Sequence, residues 1–139
     1  EMVGERHAVH LSQSDVAFRA RLELILAEDE PFIKVIENSA EVGSYLKAGL
    51  EKLKGKYDCI GDVRGMGMML GVEFVADRIS RKPAPELRDR IEMACFNNGL
   101  IILGCGTSTI RWSPPLILTK ENVDVALGIF DSAIEMSIA

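Results

Sequence analysis

Apolar residues step along this chain by threes and fours in some stretches and by twos in others, and the change of period predicts its elements. The longest helical stretch runs from Phe32 to Lys54. Val35/Ile36, Ala40, Gly43, Leu46, Leu50 and Leu53 share one face of it, and Gly55 is placed to stop it. A second helix is expected over Pro85–Asn98, with Leu87, Ile91 and Ala94/Cys95 on one side and Gly99 as its close. A third, Lys120–Ser137, carries Val123, Ala126/Leu127, Phe130 and Ala133/Ile134 on one face, with Thr119 as its cap. Upstream, Ser12 to Asp15 reads S-x-x-D, a helix-start pattern, and Val16 to Glu28 has mixed helical character until Pro31 interrupts it.

The strand signals lie between the helices. Gly61–Val75 is glycine-rich and then β-rich, which predicts a strand or hairpin with its β-rich part near Met66–Val75. Leu100–Leu103 is a short apolar strand candidate. After the GCGTS turn, Thr109–Ser113 returns as another, ended by Pro114 and Pro115, which cannot donate to a ladder. Asp77 to Pro85 is a charged, proline-bearing loop. The expected fold class is α+β: a small antiparallel or mixed sheet with amphipathic helices on one face.

Composition narrows the function classes. The 139 residues are 47% hydrophobic and 27% charged, with a net charge of −5, so one core of useful size is affordable and a general nucleic-acid face is not expected. Cys59, Cys95 and Cys105 are odd in number and form no CxxC pair, which speaks against a disulfide framework or zinc site and for a reducing cytoplasm. No apolar run is long enough to span a bilayer, and the first ten residues lack a signal core. The abrupt start reads as the interior of a longer sequence.

Three features invite a chemical reading. Gly65, Gly67 and Gly71 look superficially like a dinucleotide loop, but they precede a strand, whereas a phosphate loop needs a helix N-terminus behind it; tight backbone packing is the stronger reading. His7 and His10 could share a helical face, yet no ligand-spaced cysteine or carboxylate accompanies them, so solvent-exposed histidines are expected and no metal. Arg111 is different. Alternation along a short strand turns it away from Ile110 and Trp112, and the following Pro-Pro pair stiffens its mount. Its planar fork suits a carboxylate, of a substrate or of a structural ion-pair partner.

Taken in order, Ile60-Gly61-Asp62-Val63-Arg64-Gly65, Gly67, Gly71-Val72-Glu73, Asn98-Gly99-Leu100 and Ile110-Arg111-Trp112-Ser113-Pro114-Pro115-Leu116 resemble the C-terminal pattern of class III PLP-dependent aminotransferases. GCGTSTIRWSPPL looks most like the 4-aminobutyrate branch. The resemblance covers roughly residues 31–139. It implies the small C-terminal domain of a fold type I PLP enzyme, preceded by a diverged or connecting helical segment over residues 1–30. There, His10 to Asp15 stands where the family tends to have T-F-G-G-N-P, which implies divergence, truncation or a disrupted gene.

The family parallel implies amino-group transfer from an amino acid, 4-aminobutyrate-like, to a 2-oxo acid, in a homodimer or larger assembly. Arg111 would contact the substrate carboxylate or a nearby glutamate. Arg64 and Glu73 carry over as ion-pair or strand-face residues. The family's PLP lysine lies upstream, so no residue here is assigned to catalysis, cofactor or metal, and the chain alone is expected to be inactive. Covered in the family by a large domain, Leu46, Leu50, Leu53 and the Met66–Leu70 run are expected to be partly exposed. Alternatives are dialkylglycine decarboxylation or amino-acid racemisation on the same fold, or an inactive fragment serving as a folding or dimerisation module.

Overall fold

A computed structural model describes residues 30–138, with side chains from residue 34 onward. The expected cap at Ser12, the helix over Val16–Glu28, and His7 and His10 lie outside the described residues. The chain divides into two units, Glu1–Lys34 and Val35–Ala139, and every side-chain contact given below belongs to the second.

The elements, in order, are α1 (Glu30–Lys56), β1 (Ile60–Met66), β2 (Met69–Phe74), α2 (Pro85–Asn97), β3 (Leu103–Cys105), β4 (Thr109–Trp112) and α3 (Lys120–Ile138). The four strands form one antiparallel sheet in the order β1-β2-β4-β3. Alternation sends Val63, Leu70, Val72, Phe74, Ile110 and Trp112 to one side, where they join Leu46 and Leu50 of α1, Ile91 and Cys95 of α2, and Val123, Phe130 and Ile134 of α3 in a single core. Phe130 meets Trp112 and Phe74 edge-on, with ring centroids 5.1 and 6.3 Å apart. That is the α+β arrangement expected, and Thr119 caps α3: its hydroxyl accepts from the Asn122 N–H at 3.3 Å.

Several expectations are corrected. α1 begins at Glu30 and takes Pro31 into its first turn, where the missing N–H has no helical partner to lose. It also runs through Gly55 to Lys56, because Tyr57 is buried and its N–H still reaches the Leu53 carbonyl. The glycine-rich half of Gly61–Val75 is itself a strand, so the region is a hairpin closed by Gly67 and Met68. Here glycine is required: Gly65 and Gly67 have φ of +126° and +55°, and a Cβ on Gly65 would stand 2.1 Å from the Met69 carbonyl oxygen. The Leu100–Leu103 strand shifts to Leu103–Cys105. The Leu100 N–H is taken by the Cys95 carbonyl at the end of α2, and pairing begins only where Leu103 faces Arg111. Leu46 and Leu50 are fully buried in the common core, not exposed, and Leu53 is partly buried; Met66 and Met69 are exposed, while Met68 and Leu70 are buried.

The hairpin is clamped to α1 by an absence of side chain. A Cβ on Gly43 would lie 2.3 Å from the Gly67 carbonyl carbon and oxygen. The loop after β4 is tied to the same helix: the Asn38 amide donates to the carbonyls of Leu116 at 2.8 Å and Leu118 at 3.1 Å.

Candidate functional site

The sheet's other side carries the charge. Register aligns Arg64 of β1, Gly71 of β2, Arg111 of β4 and Leu103 of β3 in one row. With strands about 4.8 Å apart, the two arginine backbones stand about 10 Å from each other. Gly71 between them has no side chain; a Cβ there would come 3.3 Å from the Thr109 methyl. The result is a groove of about 450 Å³, with Arg64, Gly71, Thr109 and Arg111 along it and Met66 and Met69 at its edge.

The two arginines are in different states. Arg64 donates to Glu73 at 2.7 Å, to Asp62 at 3.2 Å and to the Thr109 hydroxyl at 3.3 Å. The Glu73 carboxylate, helped by Asp62, pushes the Arg64 pKa further up. The Arg111 side chain, exposed, makes no hydrogen bond or ion pair among the described residues. The Glu73 and Asp62 carboxylates on this face are engaged by Arg64. A guanidinium held on a strand with its fork unengaged can accept a carboxylate from outside in a paired, charge-assisted contact.

Cys59 and Cys95 are poor nucleophiles. Burial, with Glu92 nearby, pushes Cys95 up to about 12, and burial also raises Cys59. Among the described residues no group of His, Cys, Asp or Glu is arranged to hold a metal ion. Gly65 and Gly67 belong to a β-hairpin without a helix behind it, the packing role anticipated for them.

PLP needs a lysine that can give up its proton. Lys56 and Lys120 are held more firmly protonated, by Asp131 and Glu41 respectively. Lys54 pairs with Glu51 and Asp62, and Lys47 donates to the Gly65 carbonyl. These lysines do not fit an aldehyde-bearing cofactor.

Sequence reasoning missed two features. One is the lock joining α1 to α3: Asp131 receives Lys56 at 2.8 Å and the Tyr57 hydroxyl at 2.6 Å. No short motif links residues some seventy apart. The other is a cleft beside β4, about 310 Å³, lined by Ile102, Leu103, Trp112, Leu118 and Ala126. Trp112 is 3% exposed, and its indole Nε1–H is buried with no partner among the described residues.

The family described as Aminotransferase class-III matches residues 15–134, reaching into the segment that had read as diverged. The mitochondrial alanine–glyoxylate aminotransferase 2 of Pongo abelii is 42% identical over 102 residues, 70% of this chain and 20% of that protein. The alanine/serine racemase of Pyrococcus horikoshii is 40% identical over 121 residues, 86% of this chain and 24% of that protein. A solved aminotransferase of Bacillus anthracis superposes with a TM-score of 0.72 at 30% identity, over 83% of this chain and 26% of the other. The chain thus spans about a quarter or less of the length of these relatives, and its sheet and helices match the small α+β domain of fold type I transaminases.

Proposed function

Since this chain belongs to the class-III aminotransferase family, we propose that residues 31–139 are the small domain of a PLP-dependent transaminase and that Arg111 receives the substrate carboxylate. The parent reaction is transfer of an amino group from a 4-aminobutyrate-like amino acid to a 2-oxo acid. The carbanion chemistry is the cofactor's; the lysine that holds it is assigned to the upstream part of the protein, and this chain alone is inactive. What supports Arg111 is its unpaired fork beside Gly71, in a row whose other arginine is already neutralised. Its share of the work is to bind and orient. A cytoplasmic homodimer or larger assembly completes the reading, consistent with the exposure of Met66 and Met69, at 87% and 67%. Among the described residues no helix is long and apolar enough to cross a membrane.

The experiment is kinetic, in the full-length parent. Arg111→Ala should raise KM for the acid substrate about ten- to a hundredfold, the range a charge-assisted pair implies, with PLP content unchanged. Arg111→Lys keeps the charge, loses the fork and should also weaken binding. Loss of PLP at constant KM, or a change in thermal stability alone, would sink the assignment. A second reading, racemisation, is favoured by the 40% identity to a racemase over 86% of the chain. Loss of optical activity without 2-oxo acid formation would select it over transamination.

A further inference from the structure

Beyond Trp112 the chain leaves the sheet, and Pro114 and Pro115 have no N–H with which to rejoin it. The turn that follows is closed by the Leu118 N–H, which donates to the Pro115 carbonyl at 3.0 Å. Ile117 at its tip is 76% exposed, so apolar packing does not hold the tip down. Asn38 of α1 does. Its amide nitrogen has two N–H donors and reaches two carbonyls, Leu116 at 2.8 Å and Leu118 at 3.1 Å, one on either side of Ile117. The turn so held walls a hollow of about 340 Å³ at the end of the sheet, lined by Met66, Met69, Ser113, Pro114 and Leu116, with Ser39, the neighbour of Asn38, beside them. Met66 and Met69 face each other across the hairpin and also line the groove of Arg64 and Arg111. The two hollows therefore meet at a pair of thioethers, charged at one end and apolar at the other. Ser113 follows Arg111 by two residues, about 7 Å, on the same side of the pleat. Flexible, polarisable methionines suit an apolar chain laid over them.

We propose that Asn38 is a positioning residue for substrate selection: it holds the Leu116–Leu118 turn where Pro114 and Leu116 form the end wall for the apolar chain of an acid lying over Met66 and Met69. Asn38 touches no reacting atom; it acts through the turn. The inference rests on the reading of the open side of the sheet as the place of the acid substrate, and adds to it the wall and the residue that sets the wall. The amide is the group the position requires. Aspartate there would set a carboxylate against two carbonyl oxygens, whereas glutamine keeps both donors on a longer stem.

The test compares two amino acceptors, pyruvate and 4-methyl-2-oxopentanoate, with one amino donor in the full-length parent. Asn38→Ala should raise KM for 4-methyl-2-oxopentanoate about tenfold, the scale of a methylene contact in an apolar site, and leave kcat, PLP content and the KM for pyruvate within about twofold, since a methyl group does not reach the wall. Asn38→Asp should do at least as much, and Asn38→Gln should recover part of the loss. A residue that only stabilised the fold would change both acids alike. In the 139-residue chain, Asn38→Ala should speed hydrogen exchange of the Leu118 amide on the order of tenfold, with the Val72 and Ile110 amides unchanged. Leu116→Ala, at a side chain 46% exposed, removes the wall and keeps the tie; it should reproduce the KM split with Leu118 exchange still slow. A Leu118 amide as slow in Asn38→Ala as in the unaltered chain overturns the latch. KM values that rise equally for both acids, or for neither, overturn the wall, as does a parent that uses pyruvate and not 4-methyl-2-oxopentanoate. If Arg111→Ala still raises both KM values in those cases, the reading of Arg111 stands and this inference alone falls. If Arg111→Ala changes neither while Asn38→Ala separates them, the wall stands and the carboxylate assignment falls. A parent that turns over neither acid removes both.

Discussion

The two sides of this sheet are built from alternate residues of the same strands and differ in almost everything else. Val63, Leu70, Val72, Phe74, Ile110 and Trp112 face the helices and are sealed; Asp62, Arg64, Gly71, Glu73, Thr109 and Arg111 lie on the other side, with charge, a gap and an unengaged guanidinium. The hydrogen-bond ladder is common to both. What separates them is which side of the pleat a side chain leaves from. On the covered side a residue is constrained by volume. On the open side it is constrained by charge and by what it leaves unfilled. A substitution should therefore register as lost stability on one side and as altered recognition on the other.

The largest effect is expected on the covered side. Phe130 is fully buried and contacts both Trp112 and Phe74. Phe130→Ala should destabilise the domain by about 3–5 kcal/mol, read from chemical denaturation. A loss below about 1 kcal/mol would mean the three-ring cluster is not the centre of the core. Gly43→Ala adds one methyl where there is no room, 2.3 Å from the backbone of Gly67. A loss of about 1–3 kcal/mol is expected, since backbone rather than a flexible side chain must yield. A neutral result would show that the α1–hairpin approach is looser than the distance implies.

The two arginines sharpen the comparison within the open side. Arg64→Ala breaks contacts to Glu73, Asp62 and Thr109. These groups are half exposed, so the loss should be modest, about 0.5–1 kcal/mol. Arg111→Ala should leave stability within about 0.5 kcal/mol, because it removes no side-chain hydrogen bond or ion pair within the described residues. If denaturation shows Arg111→Ala costing more than Arg64→Ala, the assignment of one as structural and the other as receptive is reversed.

Much of this was legible in the sequence, for physical reasons. The helix over Pro85–Asn98 and the one over Lys120–Ser137 are nearly as observed, because a cap, a proline or a glycine marks their ends and the apolar stripe is regular. The Arg64–Glu73 pair was readable as strand-face residues of one hairpin. What was not legible depended on contacts distant in sequence. The end of α1 is set by burial of Tyr57 against α3, not by Gly55. The β3 strand begins where β4 offers it a partner, not where the apolar run begins. The cleft at Trp112 was hidden for the same reason, since its walls come from the shifted β3 segment and from α3.

The effect most sensitive to pH lies at the rim of the covered side, where charge rather than volume joins two helices. Asp131 is pulled two ways: burial works against its ionised form, but Lys56 and Tyr57 outweigh burial and hold the carboxyl below its usual value. Glu41 is lowered by Lys120 in the same way, and Asp77 by the hydroxyl and N–H of Ser80. A carboxyl whose folded pKa is depressed binds protons more readily when unfolded. Its contribution is therefore complete above the unfolded value, roughly pH 4, and is lost as pH falls through the lower folded value. Stability on this account should be flat from neutrality to about pH 5 and decline below about pH 4. Asp131→Asn removes one of these carboxyls while keeping an acceptor for Tyr57. It should lower Tm by a few degrees at pH 7 and by less at pH 3, where the native carboxylate has begun to protonate. Melting curves of both proteins at the two pH values decide it. A Tm difference that is the same at pH 3 and pH 7 would show that Asp131 contributes by shape, making the rim of the domain subject to the same rule as its core.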